Sequence, residues 1–439
     1  MNEILERAEK LGLKIPHITA EEIDKQVKPV LRQMEKNGIK IDVAVLQKLD
    51  KKLSIKITKL EEEIQKLAGR KFNVASPSQM ADVLFKDLKL PTDDLKKTKT
   101  GISTAAHELQ KIADKHKIIA PILEHRELAK LISTYLKPLP LLVDENSRLH
   151  TTYSLETSTG RLTSSEPNLQ NIPIRGTYGE DIRATFVAEK GMKLVSADYS
   201  QIELRVVACL AQDKAMIQAF KNGEDIHART AAEIFHIEQS KVTSEQRRKA
   251  KAVNFGIVYG QTPYGLSQTL GISVEEAGEY IRNYFDVHIG IKDYVNEMID
   301  LAHSEGYVET LLGTRRYLPN INSHIRFIAE SEERMAINMP VQGTAAEILK
   351  LAMIELNHKL IRGSVNSLIR GDKSTSQQVN ESTKPRLLLT VHDELVVEAP
   401  EKDAEGVGKL IKDTMEQVIK LCVPMTVEVG IGENWAKAK

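Results

Sequence analysis

The sequence predicts an α+β protein in which a helical N-terminal domain precedes a sheet domain that is split along the chain by a helical insertion. Three observations predict it. Residues 21–140 carry helical periodicity almost throughout. Strand-like apolar runs come only after the break at Lys137-Pro138-Leu139-Pro140, at 193–197, 386–391, 395–398 and 425–429. Between the first run and the others, roughly 201–320 reads as helices of ordinary length separated by glycine-bearing turns.

Taken in order, the first helix covers 21–36 and stops at Asn37-Gly38, a turn signal. Asp42 can cap a longer second helix, in which Leu46, Leu49, Leu53, Ile57, Leu60, Ile64 and Leu67 recur at steps of three and four with Lys and Glu around them. Such a helix packs through one narrow stripe. Ser76-Pro77 supplies a cap and a first-turn proline, and Lys96-Lys97-Thr98-Lys99-Thr100-Gly101 interrupts the pattern with a compact basic loop. Residues 363–384, rich in Ser, Asn, Gln, Thr and charge, read as an exposed loop.

A chain of 439 residues suits two or three domains, and 41% hydrophobic with 28% charged residues is the balance of a soluble globular protein. Lys and Arg total 61, as do Asp and Glu, so no whole-molecule basic field exists. The charges are nevertheless segregated: residues 21–140 carry net +7 and residues 141–439 carry −7. No apolar run reaches membrane-spanning length and the N-terminus lacks a signal peptide's apolar core. Cys209 and Cys422 lie far apart without metal-ligand spacing, so they read as reduced, buried thiols of a cytoplasmic protein.

Three stretches carry chemistry. In Leu194-Val195-Ser196-Ala197-Asp198-Tyr199-Ser200-Gln201-Ile202-Glu203-Leu204-Arg205 an apolar strand ends in a carboxylate and a polar turn leads into a helix. Leu387 to Val397 is an apolar strand pair whose tip, His392-Asp393-Glu394, is short enough to demand a tight hairpin. Alone, each acidic residue reads as a cap or turn former. Side by side, two carboxylate-tipped strands offer the hard oxygen ligands that suit Mg²⁺, and could seat two ions roughly 3.5 to 4 Å apart for in-line phosphoryl displacement. In the third stretch, Arg247, Lys251, Phe255 and Tyr259 recur every four residues and share a helix face, cationic at one end and aromatic at the other. A nucleoside triphosphate matches such a face; a solvated surface helix with core aromatics is the bland alternative, which Gly256 and Gly260 argue against by marking close approach or a bend.

From about Thr19 onward the chain resembles the polymerase portion of the bacterial polymerase I family, the family A DNA polymerases. The resemblance rests on ordered matches: Ser158-Thr159-Gly160-Arg161-Leu162, Pro167-Asn168-Leu169-Gln170-Asn171-Ile172-Pro173, the Asp198 stretch, Asp225-Ile226-His227, the 247–260 helix, Arg334 through Asn338 to Gln342-Gly343-Thr344-Ala345-Ala346, and His392-Asp393-Glu394. It implies a right-hand architecture: an N-terminal extension over 1–20, a helical thumb over 21–140, an antiparallel-sheet palm over 141–203 and 327–439 with 363–384 as a loop insertion, and helical fingers over 204–326. It further implies a monomer that adds deoxynucleotides to a primer 3′ end by two-metal-ion chemistry with pyrophosphate release. Primer-template DNA and deoxynucleoside triphosphates are the partners, Mg²⁺ the cofactor with Mn²⁺ as a possible substitute, and nucleoid-associated replication or repair the setting.

Carried over residue by residue, Asp198 and Asp393 hold the metals with help from the Tyr199 carbonyl, and Glu394 plays a lesser part beside them. Lys251 protonates or stabilises the leaving pyrophosphate while Arg247 and His227 hold the outer phosphates. Gln201 and Ile202 line the nucleotide pocket, and Glu203 excludes a 2′-hydroxyl by bulk. Phe255 and Tyr259 pack against sugar and base, and Phe at 255 resembles members that discriminate against dideoxynucleotides. Arg161, Asn168, Gln170, Arg334, Asn338, Gln342 and His392 contact primer and template, while Lys96, Lys97 and Lys99 hold duplex phosphates.

The chain also departs from the pattern. Only about twenty residues precede the thumb, so no 3′→5′ proofreading is expected from this chain itself. The stretch 150–160 lacks a customary glutamine, Tyr284-Phe285-Asp286-Val287-His288-Ile289-Gly290 lacks the usual Tyr-Pro-Gly, and the 363–384 loop is longer than the norm, an idle insertion or a docking site for a replication partner. A silent DNA-binding subunit and a two-metal nuclease are the competing readings; Asp198, Asp393, Lys251 and Arg247 together speak against the first, and incubation of end-labelled DNA without nucleotides would expose the second.

Overall fold

The computed structural model describes residues 2–99, 101–173, 178–361 and 384–439. The loop expected at 363–384 therefore lies outside the described residues, save Lys384. Helix α1 (Ala20–Asn37) begins where Thr19 and Glu22 cap each other: the Thr19 N–H donates to the Glu22 carboxylate at 2.8 Å, and the Glu22 N–H donates to the Thr19 hydroxyl. It ends at Gly38, whose φ of 53° a side chain would resist. Helix α2 (Val43–Ala68) starts on Asp42, which accepts from the Val45 N–H at 3.0 Å, and stops at left-handed Gly69. Its buried residues Leu46, Leu49, Leu53, Leu60 and Ile64 are the expected stripe.

The chain divides into two compact units: Met1–Ile39 with Thr151–Ile172 and Ala188–Lys439, and Lys40–His150 with Pro173–Val187. Helix α1, read from sequence as the start of the helical N-terminal domain, groups with the larger unit. Its inward face supplies the reason: Asn37 Nδ2 donates to the Leu387 carbonyl at 2.8 Å, and Asp24 pairs with buried Lys350 at 2.7 Å. The smaller unit is built on α2 and helix α3 (Ile119–Leu131), joined by a 3.0 Å contact between His125 Nε2 and the Glu61 carboxylate. Its short hairpin, Lys97–Thr98 paired with Gly101–Ile102, leaves Lys96, Lys97 and Lys99 exposed.

The larger unit holds strand β1 (Met192–Tyr199), helices α4 (Ile202–Leu210), α5 (Ile226–Phe235), α6 (Ser244–Val258) and α7 (Arg326–Ile361), strands β2 (Arg386–Val391) and β3 (Glu394–Pro400), helix α8 (Ala404–Gln417) and strand β4 (Val427–Gly432). The four strands form one antiparallel sheet in the order β2-β3-β1-β4, so in sequence β1 and the three later strands bracket the helices α4 to α7. The apolar runs of β1, β2 and β3 are buried on both faces, as continuous rather than alternating hydrophobicity requires, whereas β4 is partly exposed. Only His392 and Asp393 separate β2 from β3, and His392 takes φ 54°, the positive value that tight hairpin turns need.

The two thiols read as reduced are instead joined: Cys209 at the end of α4 and Cys422 form a disulfide with Cα atoms 5.6 Å apart. A separation of 213 residues hid this pairing from the sequence. Arg205 brings the segments together, donating to the Pro424 carbonyl and the Thr426 hydroxyl, each at 2.6 Å. With the pair bonded, the cysteines no longer point to an intracellular setting. No helix among the described residues is long and apolar enough to cross a membrane.

Candidate active site

Strand register assembles the acidic centre. Asp198 on β1 lies directly opposite Glu394 on β3, and the Tyr199 N–H donates to the Asp393 carbonyl at 3.2 Å. The two carboxylate-tipped strands thus lie side by side, as their sequences suggested. Burial raises the Asp393 carboxyl to about 7, and the negative charges of Glu203 and Asp198 add to the shift against the pull of Arg161. Carboxylates that resist joint ionisation are a donor set that a hard cation satisfies. Among the described residues no three His, Cys, Asp or Glu side chains are arranged to hold a metal. Two carboxylates nevertheless suit a Mg²⁺-type ion, which keeps water and substrate phosphate as its other ligands.

Glu394 itself is committed to the protein. Its Oε1 accepts from the Ser196 hydroxyl at 2.6 Å and from the Trp435 indole N–H at 2.7 Å. After β1 the chain turns through Gln201, whose φ of 56° is left-handed, and α4 begins at the next residue. Ile202 is then buried in the core rather than open to a pocket. Glu203, 3% exposed, accepts from the Tyr259 hydroxyl at 2.7 Å and pairs with the Arg161 guanidinium.

Helix α6 begins with a reciprocal Thr243–Gln246 cap and presents the predicted face. Arg247 Nε donates to Asp225 at 2.6 Å, and Asp225 also caps α5 by accepting from the His227 and Ala228 N–H groups. The Lys251 ammonium stands 5.9 Å from the Phe255 ring centroid, which lies 6.2 Å from Tyr259 and 6.0 Å from His227. Burial, assisted by the charge of Lys251, lowers the His227 pKa to about 4, so its ring is neutral. Asn254 Nδ2 holds its Nδ1 at 3.1 Å, and its buried Nε2 has no hydrogen-bond partner among the described residues. Past the helix, Gly260 takes φ 63° against α7; a Cβ there would stand 3.1 Å from Arg334 Cγ and 3.2 Å from its Cα.

The expected DNA-contacting residues fall into three groups. Arg161, Gln170 and His392 line one cavity with Leu162, Ala346, Leu349 and Asp393. Asn168 is close by in sequence, capping the turn Leu169–Asn171 through the Gln170 N–H at 3.0 Å. On α7, Arg334, Asn338 and Gln342 recur every four residues; Gln342 is buried, and Asn338 Oδ1 is buried without a hydrogen-bond partner among the described residues. Lys96, Lys97 and Lys99 belong to the smaller unit. Sequence reading missed the tethers: Asp225 on Arg247, Asn254 on His227, Arg161 on Glu203, and Ser196 and Trp435 on Glu394. A signal existed for two of them, since Ser196 precedes Asp198 by two strand positions and Trp435 is the chain's sole tryptophan.

Residues 43–437 match the model of DNA polymerase family A, and the chain belongs to that family. It is 46% identical over 387 residues to DNA polymerase I of Deinococcus radiodurans, covering 88% of this chain and 38% of that protein. The thermostable DNA polymerase I of Thermus aquaticus is also 46% identical, covering 88% and 44% respectively. The chain thus spans less than half the length of these curated relatives. Among solved structures, the POL domain of Pol1 from M. smegmatis, in complex with DNA primer-template and dNTP, superposes with a TM-score of 0.87 at 39% identity, over 94% of this chain and 70% of that one.

Proposed function

We propose that the chain carries template-directed DNA synthesis, adding deoxynucleotides to a primer 3′ end with release of pyrophosphate. The observation that carries this reading is the juxtaposition of Asp198 and Asp393 across neighbouring strands, in a larger unit that also builds the Arg247–Tyr259 face. In this reading the sheet is a palm, the helices of 204–326 are fingers and the helices within 21–140 are a thumb. Asp198 and Asp393, with the Tyr199 carbonyl, would hold divalent cations, Mg²⁺ with Mn²⁺ as substitute. Bound there, such ions neutralise phosphate charge and acidify the attacking hydroxyl.

The protein's own groups do the rest. Arg247 and Lys251 receive the triphosphate, and Lys251 is the group that meets charge developing on the leaving pyrophosphate. His227, neutral and with an unmatched ring nitrogen, completes the phosphate contacts. Phe255 and Tyr259 pack on sugar and base, and Glu203 stands where a 2′-hydroxyl would go. Arg161, Asn168, Gln170, Arg334, Asn338, Gln342 and His392 follow the paired primer and template. Primer extension by purified protein with Mg²⁺ tests the reading: elongation is expected, and Asp198→Ala or Asp393→Ala should lower its rate roughly a thousandfold or more while duplex binding persists. Extension at the parent rate by either variant would refute the assignment.

A further inference from the structure

The Glu394 carboxylate, beside the two proposed metal-binding groups, has one oxygen clamped by two neutral donors, and part of the clamp comes from a segment the proposed reaction does not otherwise use. Strand β4 carries Gly430 opposite Ser196, and residues 434–439 fold back across it. The approach is backbone to backbone: a Cβ on Gly430 would meet the Ala438 carbonyl oxygen at 2.5 Å, and one on Gly432 the Lys437 carbonyl carbon at 2.6 Å. Only glycine admits the segment at that distance. The fold-back buries Trp435 and Ala438 completely. It is fastened by the Ala438 N–H on the Asn434 carbonyl at 3.1 Å and by the Lys437 N–H on the Asn434 side chain at 2.9 Å.

The buried indole delivers its N–H to Glu394 Oε1 at 2.7 Å, where the Ser196 hydroxyl also donates at 2.6 Å, while Lys439 Nζ stands 3.7 Å from Oε2. Glu394 follows Asp393 in the hairpin and faces Asp198 across the ladder. Fixing this one carboxylate therefore fixes the end of β3, which adjoins Asp393 in the turn and pairs with Asp198 on β1. It also supplies donors to a third negative charge that would otherwise compete for the cations.

We propose that Trp435, acting with Ser196, is a positioning residue for nucleotidyl transfer, holding Glu394 on the protein side so that Asp198 and Asp393 keep their mutual placement. The inference rests on the polymerase reading. Trp435→Phe keeps an aromatic ring and removes the donor; Ser196→Ala removes the other donor should the first variant fold poorly. Either variant should lower kcat for single-nucleotide extension about 10- to 100-fold, the range for groups that orient metal-site ligands, with primer-template Kd unchanged and half-saturating Mg²⁺ raised. In a Glu394→Gln background the same change should have far less effect, because the residue acted upon has already lost its charge. Since Trp435 is the sole tryptophan, its emission also reports the contact without turnover. Mg²⁺ alone should change the emission of the parent and not that of Asp393→Asn. Parent-like kcat and Mg²⁺ dependence in both donor variants, an undiminished effect in the Glu394→Gln background, or emission blind to Mg²⁺ would overturn the proposal. Failure of the parent itself to extend a primer would instead remove the polymerase reading.

Discussion

Glu203 is buried with both oxygens engaged, one by Arg161 and one by Tyr259. A buried carboxylate is tolerable only when paired in this way. The pairing makes it rigid, and a rigid side chain excludes by shape where a mobile one would yield. Glu203→Ala should therefore admit ribonucleotides, reducing discrimination by roughly 10- to 100-fold as read from kcat/KM for matched ribo- and deoxynucleotides. Unchanged discrimination would remove the steric role. Its place at the head of a helix after Asp198 was legible in the sequence. Its partners, 42 and 56 residues away, were not, because no local pattern records which distant side chain will fill a buried charge's coordination.

At the scale of elements, two contacts help to hold the helices between β1 and α7, beside the apolar core they share. His288 joins the helices Val274–Val287 and Ile289–Glu305; its Nδ1 meets Asp213 and its Nε2 meets Glu233, both at 3.1 Å, and Glu233 is held in turn by Arg229. This stretch, 284–290, lacks Tyr-Pro-Gly, and buried His288 stands there between two carboxylates. Burial opposes the imidazolium, yet the two carboxylates outweigh it and raise the pKa above the ordinary histidine value. A raised histidine stabilises the fold fully below the unfolded value, about 6.5, and the stabilisation disappears as pH rises through the folded value. His288→Gln should cost roughly 3 kcal/mol at pH 6, with the difference from the parent shrinking toward alkaline pH in thermal melts. A constant difference across that range would refute the charged triad. The second contact is Gly260 against Arg334. Gly260→Ala combines a positive φ with a crowded Cβ and should cost about 1 to 3 kcal/mol by denaturant midpoint. The glycine was conspicuous in sequence, but the helix it approaches was not.

Across the whole molecule, charge is divided rather than absent: net +7 over 21–140 against −7 over the remainder from 141. The exposed Lys96, Lys97 and Lys99 lie in the positive part. If these lysines hold duplex phosphates, replacing all three by Ala should reduce the slope of log Kd against log salt by about 0.9 for each phosphate no longer neutralised, measured between about 50 and 200 mM salt, without changing sequence preference. An unchanged slope would place the phosphate contacts elsewhere. The two compact units also divide the chain at different points from those read in the sequence, with α1 joined to the larger one. A helix's apolar stripe announces that it will be buried, but not which surface will bury it.

By itself, the sequence determined the elements and the inventory of chemistry: the cap at Asp42, the apolar stripe of α2, the hairpin tip at 392–394, and the spacing of Arg247, Lys251, Phe255 and Tyr259. These are local, because caps, periodicity and turns are interactions among near neighbours. The tertiary structure alone decided that Asp198 faces Glu394, that Cys209 meets Cys422, and that a tryptophan 41 residues beyond Glu394 returns to hold it. Those are choices among many possible long-range pairings, settled by packing the whole chain at once.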